Sequence, residues 1–272
     1  MKTIVLLDAC VLFQMPVCDT LLRIAEAGLF RLYLSQEILD ETTRNLVKQG
    51  KMSEKQAVRY QQQIKQYFPE SFVEGYESLI PSMTNDFKDR HVLAAAIKCK
   101  ADVIVTFNLK DFPSESLQPY GIKAQHPDDF LLDLFSDYGM NLAVEIIKQQ
   151  AEALKKPPTT IKELIQKLDK QVPNFAKIIM NCKYSSYLSR IATKTLELLG
   201  NENRNKTLSY EGEEYSFETR EETLTIEQKF RGEIFKITED TIECNFTLQD
   251  VEKLEDFERK LDKEFQKSVR KN

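Results

Sequence analysis

The chain has 272 residues, of which 42% are hydrophobic and 10% aromatic, and its net charge is −5. This composition is typical of a folded protein with one large or two ordinary domains, and it argues against disorder as the main state. No apolar run approaches the roughly 18 residues of a membrane span, and the first one ends at the charged Asp8. We therefore expect a cytoplasmic protein without a membrane partner.

Cysteine and histidine usage limits the kinds of site that the chain can build. The cysteines are odd in number, widely spaced and free of any C-x-x-C pair, which argues against a disulfide framework and a zinc site. We expect them to be reduced, buried thiols. The chain has two histidines, His91 and His126, so few imidazoles are available for a metal site or for a Ser-His-Asp triad. Any metal must be held mainly by oxygen atoms.

Charge is unevenly distributed along the chain. Residues 1–138 carry 15 basic and 19 acidic side chains, residues 139–206 carry 12 and 6, and residues 207–272 carry 11 and 18. If the substrate is a nucleic acid, the basic middle block is its natural electrostatic footprint. The more ordinary interpretation is that these lysines lie on solvated helix faces.

The first third of the chain alternates between short apolar runs and amphipathic stretches. Thr3–Leu7 is predicted to be a strand, and Asp19 is placed to cap a helix that ends near Gly28. A second strand is predicted at Arg31–Leu34, followed by a helix with Ser35 as its cap. These two strands lead into segments that carry acidic residues.

The next elements complete an α/β pattern. Ser53 and Gln56 form a capping box for a polar helix that Pro69 terminates. A buried helix at 91–97 and a strand at Val103–Thr106 follow, and then come a strand at 121–125 and a helix from about 128 to 138. The order of elements predicts an α/β/α sandwich with a parallel sheet over residues 1–138.

The second half has a different organisation. Residues 139–205 read as a helical connector, with a capping box at Thr160 and Glu163. From residue 206 the apolar positions alternate, which predicts an antiparallel meander, and Thr247 and Asp250 begin a final helix. We therefore expect a small α+β domain at 206–272.

Four acidic positions follow strands or lie on the adjoining helices. Asp8 follows the first strand, Glu41 lies on the helix after the second, Asp89 begins the next helix, and Asn108 or Asp111 follows the strand after it. In a parallel sheet such positions share one edge. Metal-dependent phosphodiester cleavage needs carboxylates from separate elements to hold Mg²⁺ or Mn²⁺, which orients a water for in-line attack.

Four stretches resemble the PIN domain, the nuclease fold of VapC-type toxins. They are Ile4–Asp8 (IVLLD), Ser35–Glu41 (S-x-x-I-x-x-E), Lys88–Ala96 (KDRHVLAAA) and Val105–Pro113 (VTFNLKDFP). They occur in the expected order, and the resemblance covers about residues 2–138.

The resemblance implies an Mg²⁺-dependent ribonuclease that acts on RNA, often the toxin partner of an antitoxin protein and often a homodimer. It implies that Asp8, Glu41 and Asp89 bind metal and that Thr106 and Asn108 line the site. Relatives often have an aspartate where this chain has Asn108, so either Asp111 replaces it or a neutral ligand completes the site. Arg90 either contacts substrate phosphate or pairs with Asp86.

Two other functions compete with this interpretation. Asn108 also fits a PIN-like module that has lost catalysis and serves in RNA or protein binding. A flavodoxin-like receiver or phosphatase shares the sheet and the acidic pocket, but it needs an acid pair beside the first strand, and Asp8 has no adjacent acid.

Overall fold

The protein is described by a computed structural model. The structure describes residues 2–155, 157–183, 208–211, 215–220, 223–228, 232–237 and 242–244. The chain divides into two compact units, residues 1–176 and 177–272. Each unit is treated by itself below.

The first unit is built on a four-stranded parallel sheet with strand order β2-β1-β3-β4. Its strands are β1 (Ile4–Leu7), β2 (Arg31–Tyr33), β3 (Val103–Val105) and β4 (Lys123–Gln125). The strand β3, Val-Ile-Val, is buried throughout, as expected for a central strand covered on both faces. The predicted parallel sheet and PIN-like α/β/α fold are confirmed.

Helices connect and flank these strands. They are α1 (Ala9–Leu12), α2 (Met15–Glu26), α3 (Gln36–Lys48), α4 (Glu54–Tyr67), α5 (Arg90–Cys99), α6 (Ser114–Leu117), α7 (Pro127–Tyr138), α8 (Met140–Ala153) and α9 (Ile161–Asp169), with a further helix at 173–183. Among the described residues, no helix has both the length and the apolar character needed to cross a lipid bilayer.

Several helix starts follow local capping chemistry that the sequence predicts. Ser35 accepts a hydrogen bond from the Ile38 amide, and Ser53 and Thr160 each form a capping box with the residue three positions later. The predicted cap at Asp19 is wrong. The helix α2 begins four residues earlier, with Pro16 in its first turn, and Asp19 pairs with Arg23 one turn further along.

The helices α8 and α9 pack within the first unit, against α2. The contact between α8 and α2 has a buried polar centre at Gln150. Its Nε2 donates to the Pro16 carbonyl at 3.1 Å, and its Oε1 accepts from the Thr20 hydroxyl at 2.7 Å. Residues 139–176 therefore extend the core of the first unit, while the predicted boundaries at 138/139 and 205/206 stay predictions.

The second unit contains a five-stranded antiparallel sheet in which each strand pairs with its neighbours in sequence. The strands are β5 (Leu208–Glu211), β6 (Tyr215–Arg220), β7 (Thr223–Gln228), β8 (Gly232–Ile237) and β9 (Ile242–Cys244). Residues 184–205 of the predicted helical connector and the predicted final helix from Thr247 onward lie outside the described residues.

Candidate active site

The candidate site begins where β1 and β3 end side by side. Leu7 pairs with Val105 in the sheet, and the Asp8 amide continues the ladder by donating to the Val105 carbonyl at 3.1 Å. Asp8 is 3% exposed and Thr106 is fully buried. The parallel register therefore places these two polar residues next to each other at the carboxyl edge of the sheet.

Two donors orient the Asp8 carboxylate. The Thr106 hydroxyl donates to Oδ2 at 2.7 Å, and the Cys10 thiol donates to the same oxygen at 3.0 Å. Cys10 Sγ in turn accepts from the Phe107 amide at 3.3 Å, and Thr106 Oγ1 accepts from the Asn108 amide at 2.9 Å. Because both donors approach Oδ2, the carboxylate is fixed in one orientation.

Cys10 is a site residue that the sequence interpretation missed. The sequence predicts only a reduced, buried thiol at this position, and burial and the nearby Asp8 charge do raise the pKa of the thiol. The signal that could have identified it is its position two residues after Asp8, at the start of the first helical turn.

Glu41 reaches the site from α3. It is half-buried, and burial and the negative charge of Asp8 raise the pKa of its carboxyl, whereas His91 opposes this effect. The other acids of this helix have other partners: exposed Glu37, one turn before Glu41, accepts a hydrogen bond from the Tyr76 hydroxyl, and Asp40 accepts from Gln36 and Gln61. Of the three acids of this helix, Glu41 is the one coupled to Asp8 and Asp89.

Asp89 is the acid most affected by its surroundings. It lies between a 3₁₀ turn, Phe87–Asp89, and the start of α5, and it is half-buried. Burial raises the pKa of its carboxyl to about 7, and the negative charges of Asp8, Asp111 and Glu41 add to this effect. The fold therefore brings the carboxylates of Asp8, Asp111 and Glu41 close enough to Asp89 for their charges to disfavour its ionisation.

Asp111 ends a second 3₁₀ turn, Leu109–Asp111, which follows β3, and Asn108 is the residue that precedes the turn. The Asp111 carbonyl accepts from the Asp86 amide at 3.2 Å, which joins this turn to Phe87–Asp89. The Asp111 carboxylate contributes to the field at Asp89, whereas the Asn108 side chain is exposed. Asp111 is thus the acid that lies beside Asp89 at this end of the motif.

Arg90 and His91 also have defined partners. The Arg90 guanidinium lies over the Phe87 ring, and its Nε donates to the Asn85 carbonyl at 3.4 Å, so neither described partner is Asp86. His91 is buried as predicted, with Nδ1 at 2.9 Å from the Lys88 carbonyl. Its Nε2 lies 3.6 Å from Glu41 Oε2, a contact that the sequence interpretation missed.

The donor set suits a hard divalent cation in its chemistry. In the described part of the chain, no three His, Cys, Asp or Glu side chains stand together as a ready-made metal cluster. Mg²⁺ commonly keeps several waters and binds through one or two carboxylates, and the available groups are carboxylate, hydroxyl and amide oxygens. The residues therefore fit an open, partly hydrated Mg²⁺ site better than a closed cage.

Comparison with known proteins agrees with this geometry. Residues 2–110 match the PIN domain family, and residues 127–180 match the VapC50 C-terminal domain. Over 106 residues the chain is 50% identical to the "Putative ribonuclease VapC50" of Mycobacterium tuberculosis (strain ATCC 25618 / H37Rv). That stretch covers 39% of this chain and 62% of the relative. No solved structure matches the chain.

The fold, the acidic sheet edge and the first matched segment are those of a PIN domain at residues 2–110. The chain is similar to the VapC-type PIN proteins and carries an additional C-terminal region. The VapC50 C-terminal domain segment starts at α7 and includes α8 and α9, the helices that pack within the first unit.

Proposed function

We propose that this protein is an Mg²⁺-dependent endoribonuclease that hydrolyses RNA phosphodiester bonds. The observation that carries the proposal is the shared carboxyl edge of β1 and β3. There a buried, doubly hydrogen-bonded Asp8 lies within the electrostatic reach of Glu41 and Asp89. Acidic groups so arranged on separate elements are what a divalent cation requires.

In this proposal Asp8, Glu41 and Asp89 hold Mg²⁺, with Mn²⁺ as the alternative ion. When bound, the cation orients a water and offsets the charge that develops on phosphorus. Burial raises the pKa of Asp89 most, and the negative charges of Asp8, Asp111 and Glu41 raise it further. These charges support the assignment, because a cation at the same place would offset them. Thr106 and Cys10 act on Asp8 by keeping its carboxylate in one orientation.

The remaining site residues are proposed to complete the set of acids or to bind the substrate. Asp111 supplies further negative charge at Asp89 and is proposed as the fourth catalytic acid. The Asn108 amide donates to the Thr106 hydroxyl, which donates to Asp8, so both residues lie next to the acids that would hold the cation. Arg90 brings positive charge to the start of α5, where a phosphate can approach. These three residues are proposed to line the path of the RNA.

The biological setting is part of the same proposal. The relative's name and the VapC50 C-terminal domain match support a role as the toxin of a toxin–antitoxin pair. An antitoxin protein, a homodimeric state and a cytoplasmic location are proposed together with that role. None of these features is needed for the cleavage chemistry.

The decisive experiment is cleavage of a total RNA pool with mapping of the new ends. Wild type is expected to cut in Mg²⁺ and to stop in EDTA, and Asp8→Asn is expected to lose cleavage while unfolding at the same urea concentration. Asp129→Asn, an exposed acid on α7, is the matched control and should cut like wild type. An Asp8→Asn protein that cuts as well as its parent would remove Asp8 from the site.

A second function is favoured by one observation, the neutral and exposed Asn108. It is a PIN-like module without catalysis that binds RNA or protein. In that case RNA binding survives EDTA, and no RNA pool yields Mg²⁺-dependent ends. Asn108→Asp separates the two functions. It should raise the rate of RNA cleavage if the protein is a nuclease, and it should produce no cleavage if the protein is only a binding module.

A further inference from the structure

A large aromatic side chain stands open to solvent beside the candidate site. Phe87 is 79% exposed and lies between Asp86 and Asp89 in sequence. Single exposed apolar side chains are common on protein surfaces, so exposure alone decides nothing. The surroundings of this ring distinguish it.

The Phe87 ring is held at a defined place. Its turn is fixed by the Asp86 carboxylate, which accepts from the Lys88 amide at 3.0 Å, and by the Asp89 amide, which donates to the Asp86 carbonyl at 3.0 Å. The Arg90 guanidinium lies 5.4 Å from the ring centroid, within the range of a cation–π contact. One face of the ring thus has a cation over it, and the high exposure leaves the opposite face open.

The second 3₁₀ turn extends this surface. The hydrogen bond from the Asp86 amide to the Asp111 carbonyl joins the turns Phe87–Asp89 and Leu109–Asp111, which we call the rim turns. Besides Phe87, they expose the apolar side chain of Leu109 and the cations Lys88 and Lys110. An aromatic platform and two flexible cations therefore border the carboxylates.

We propose that Phe87 is a base-contacting residue of this site, on whose ring one unpaired base of the RNA stacks. Lys88 and Lys110 contact the phosphates on either side of that base. The inference rests on the proposed nuclease function and assigns to it a residue that positions the substrate. Aromatic side chains that bind single strands stack on base faces with little dependence on sequence. In a duplex the base faces are covered by their neighbours and do not reach such a platform.

The absence of tryptophan from the sequence provides a direct test. Phe87→Trp creates a protein with a single indole on the rim turns, and stacking of a base quenches its fluorescence. The probe is a single-stranded oligoribonucleotide of about ten nucleotides, within the length that such sites cover. It is compared with a hairpin of the same length, in a stopped-flow instrument, so that binding is recorded before cleavage.

The matched control is Tyr67→Trp. Tyr67 is 67% exposed at the end of α4, so its indole is equally accessible but lies on another element. We expect quenching of Phe87→Trp by the single strand, much weaker quenching by the hairpin, and none for Tyr67→Trp. Equal quenching at both positions, or none at position 87, overturns the inference.

Cleavage kinetics supply a second readout. Phe87→Ala is expected to raise KM for the single strand roughly tenfold, with kcat little changed, and Phe87→Tyr is expected to restore it. Nucleotides of the single strand are then replaced one at a time by abasic ones. If the ring contacts a base, there should be one abasic position at which Phe87→Ala no longer raises KM. An unchanged KM, or a cost that persists at every abasic position, assigns Phe87 to another role such as a protein contact.

These outcomes are distinguishable from failure of the nuclease proposal. If the oligoribonucleotide quenches Phe87→Trp but neither wild type nor any variant cleaves RNA, the proposed role of Phe87 stands and the nuclease proposal is overturned. If Phe87→Ala does not change cleavage and no quenching occurs, the nuclease proposal stands and the proposed role of Phe87 is overturned.

Discussion

The hydroxyl of Thr106 donates a hydrogen bond of 2.7 Å to Oδ2 of Asp8, across 98 positions of sequence. The two residues come directly after β1 and β3, which pair in parallel, so the sheet register makes this contact. Thr106 is fully buried, and its Oγ1 also accepts from the Asn108 amide. One hydroxyl thus connects the first acid of the site with the loop that carries Asn108 and Asp111.

Removing that hydroxyl is expected to weaken the site more than the fold. Thr106→Val keeps the shape of the side chain and deletes the donor to Asp8, so Mg²⁺ affinity or cleavage should fall about 10- to 100-fold. The loss of buried hydrogen bonds should cost about 1–2 kcal/mol of unfolding free energy. Mg²⁺ titration and urea unfolding measure the two effects.

Thr106→Ser is the control, because it retains the hydroxyl and removes one methyl group. It should bind Mg²⁺ nearly as wild type does. Equal Mg²⁺ affinities for the valine and serine variants would show that the hydrogen bond to Asp8 does not matter to the metal.

Asp89 is expected to make the metal-free protein less stable as pH rises. Its pKa is about 7 in the fold against an ordinary value of 3.8, so the folded state favours the protonated carboxyl. The stability that this preference gives is complete below the ordinary pKa and is lost as pH rises to about 7. Urea unfolding in EDTA across this window should show a fall for wild type that is smaller for Asp89→Asn.

The same group should couple Mg²⁺ binding to proton release. A cation binds the ionised carboxylate, so binding near pH 7 should release a proton, and affinity should weaken as pH falls below that value. Calorimetry in two buffers of different ionisation enthalpy measures the protons released. An identical binding enthalpy in both buffers, with unchanged affinity at lower pH, would contradict the coupling.

Local chemistry explains which features the sequence predicts well. The caps at Ser35, Ser53 and Thr160 depend on residues three positions apart, so they can be read directly from the chain. Asp19 fails as a cap because a proline three residues earlier offers a stronger helix start. The parallel sheet also follows from the pattern, since its short apolar strands alternate with helices.

The candidate site is predictable in its acids and unpredictable in their support. Asp8 and Asp89 can be identified from the sequence, because one follows a predicted strand and the other begins a predicted helix. The supporting contacts of Cys10 and His91 are harder to predict. The thiol of Cys10 bonds to Asp8 two residues earlier, a local spacing that could have identified it. The imidazole of His91 lies beside Glu41 only because two helices pack together, and no spacing in the sequence encodes that contact.

Asp128 is expected to stabilise the first unit through a buried contact. It is 3% exposed, and its two carboxylate oxygens accept from the Asn174 amide and side chain and from the Phe175 amide, at 2.8–3.1 Å. These donors lie at the start of the helix at 173–183, where free amides need acceptors. Asp128→Ala should therefore cost about 2 kcal/mol of unfolding free energy, measured in urea.

Asp129→Ala is the matched control for this change. Asp129 is the next residue of α7 and is exposed, so its loss should alter the unfolding free energy by less than about 0.5 kcal/mol. Similar values for both variants would mean that the capping of residues 174 and 175 by Asp128 contributes little.

Truncation tests whether the helices after residue 138 belong to the nuclease unit. The helix α8 buries Ala143, Ile146, Ile147, Gln150 and Ala151, and it packs on α2, the helix that follows the Asp8 turn. A chain ending at residue 138 loses this cover, which exposes apolar surface on α2 and should cost on the order of 5 kcal/mol. A chain ending at residue 176 keeps α8, α9 and the Gln150 contacts.

We expect the longer form to unfold cooperatively at a urea concentration near that of the first unit in the full chain. The shorter form should unfold at a much lower one or aggregate. Equal unfolding midpoints for the two forms would place the boundary at 138 and make residues 139–176 a separate connector.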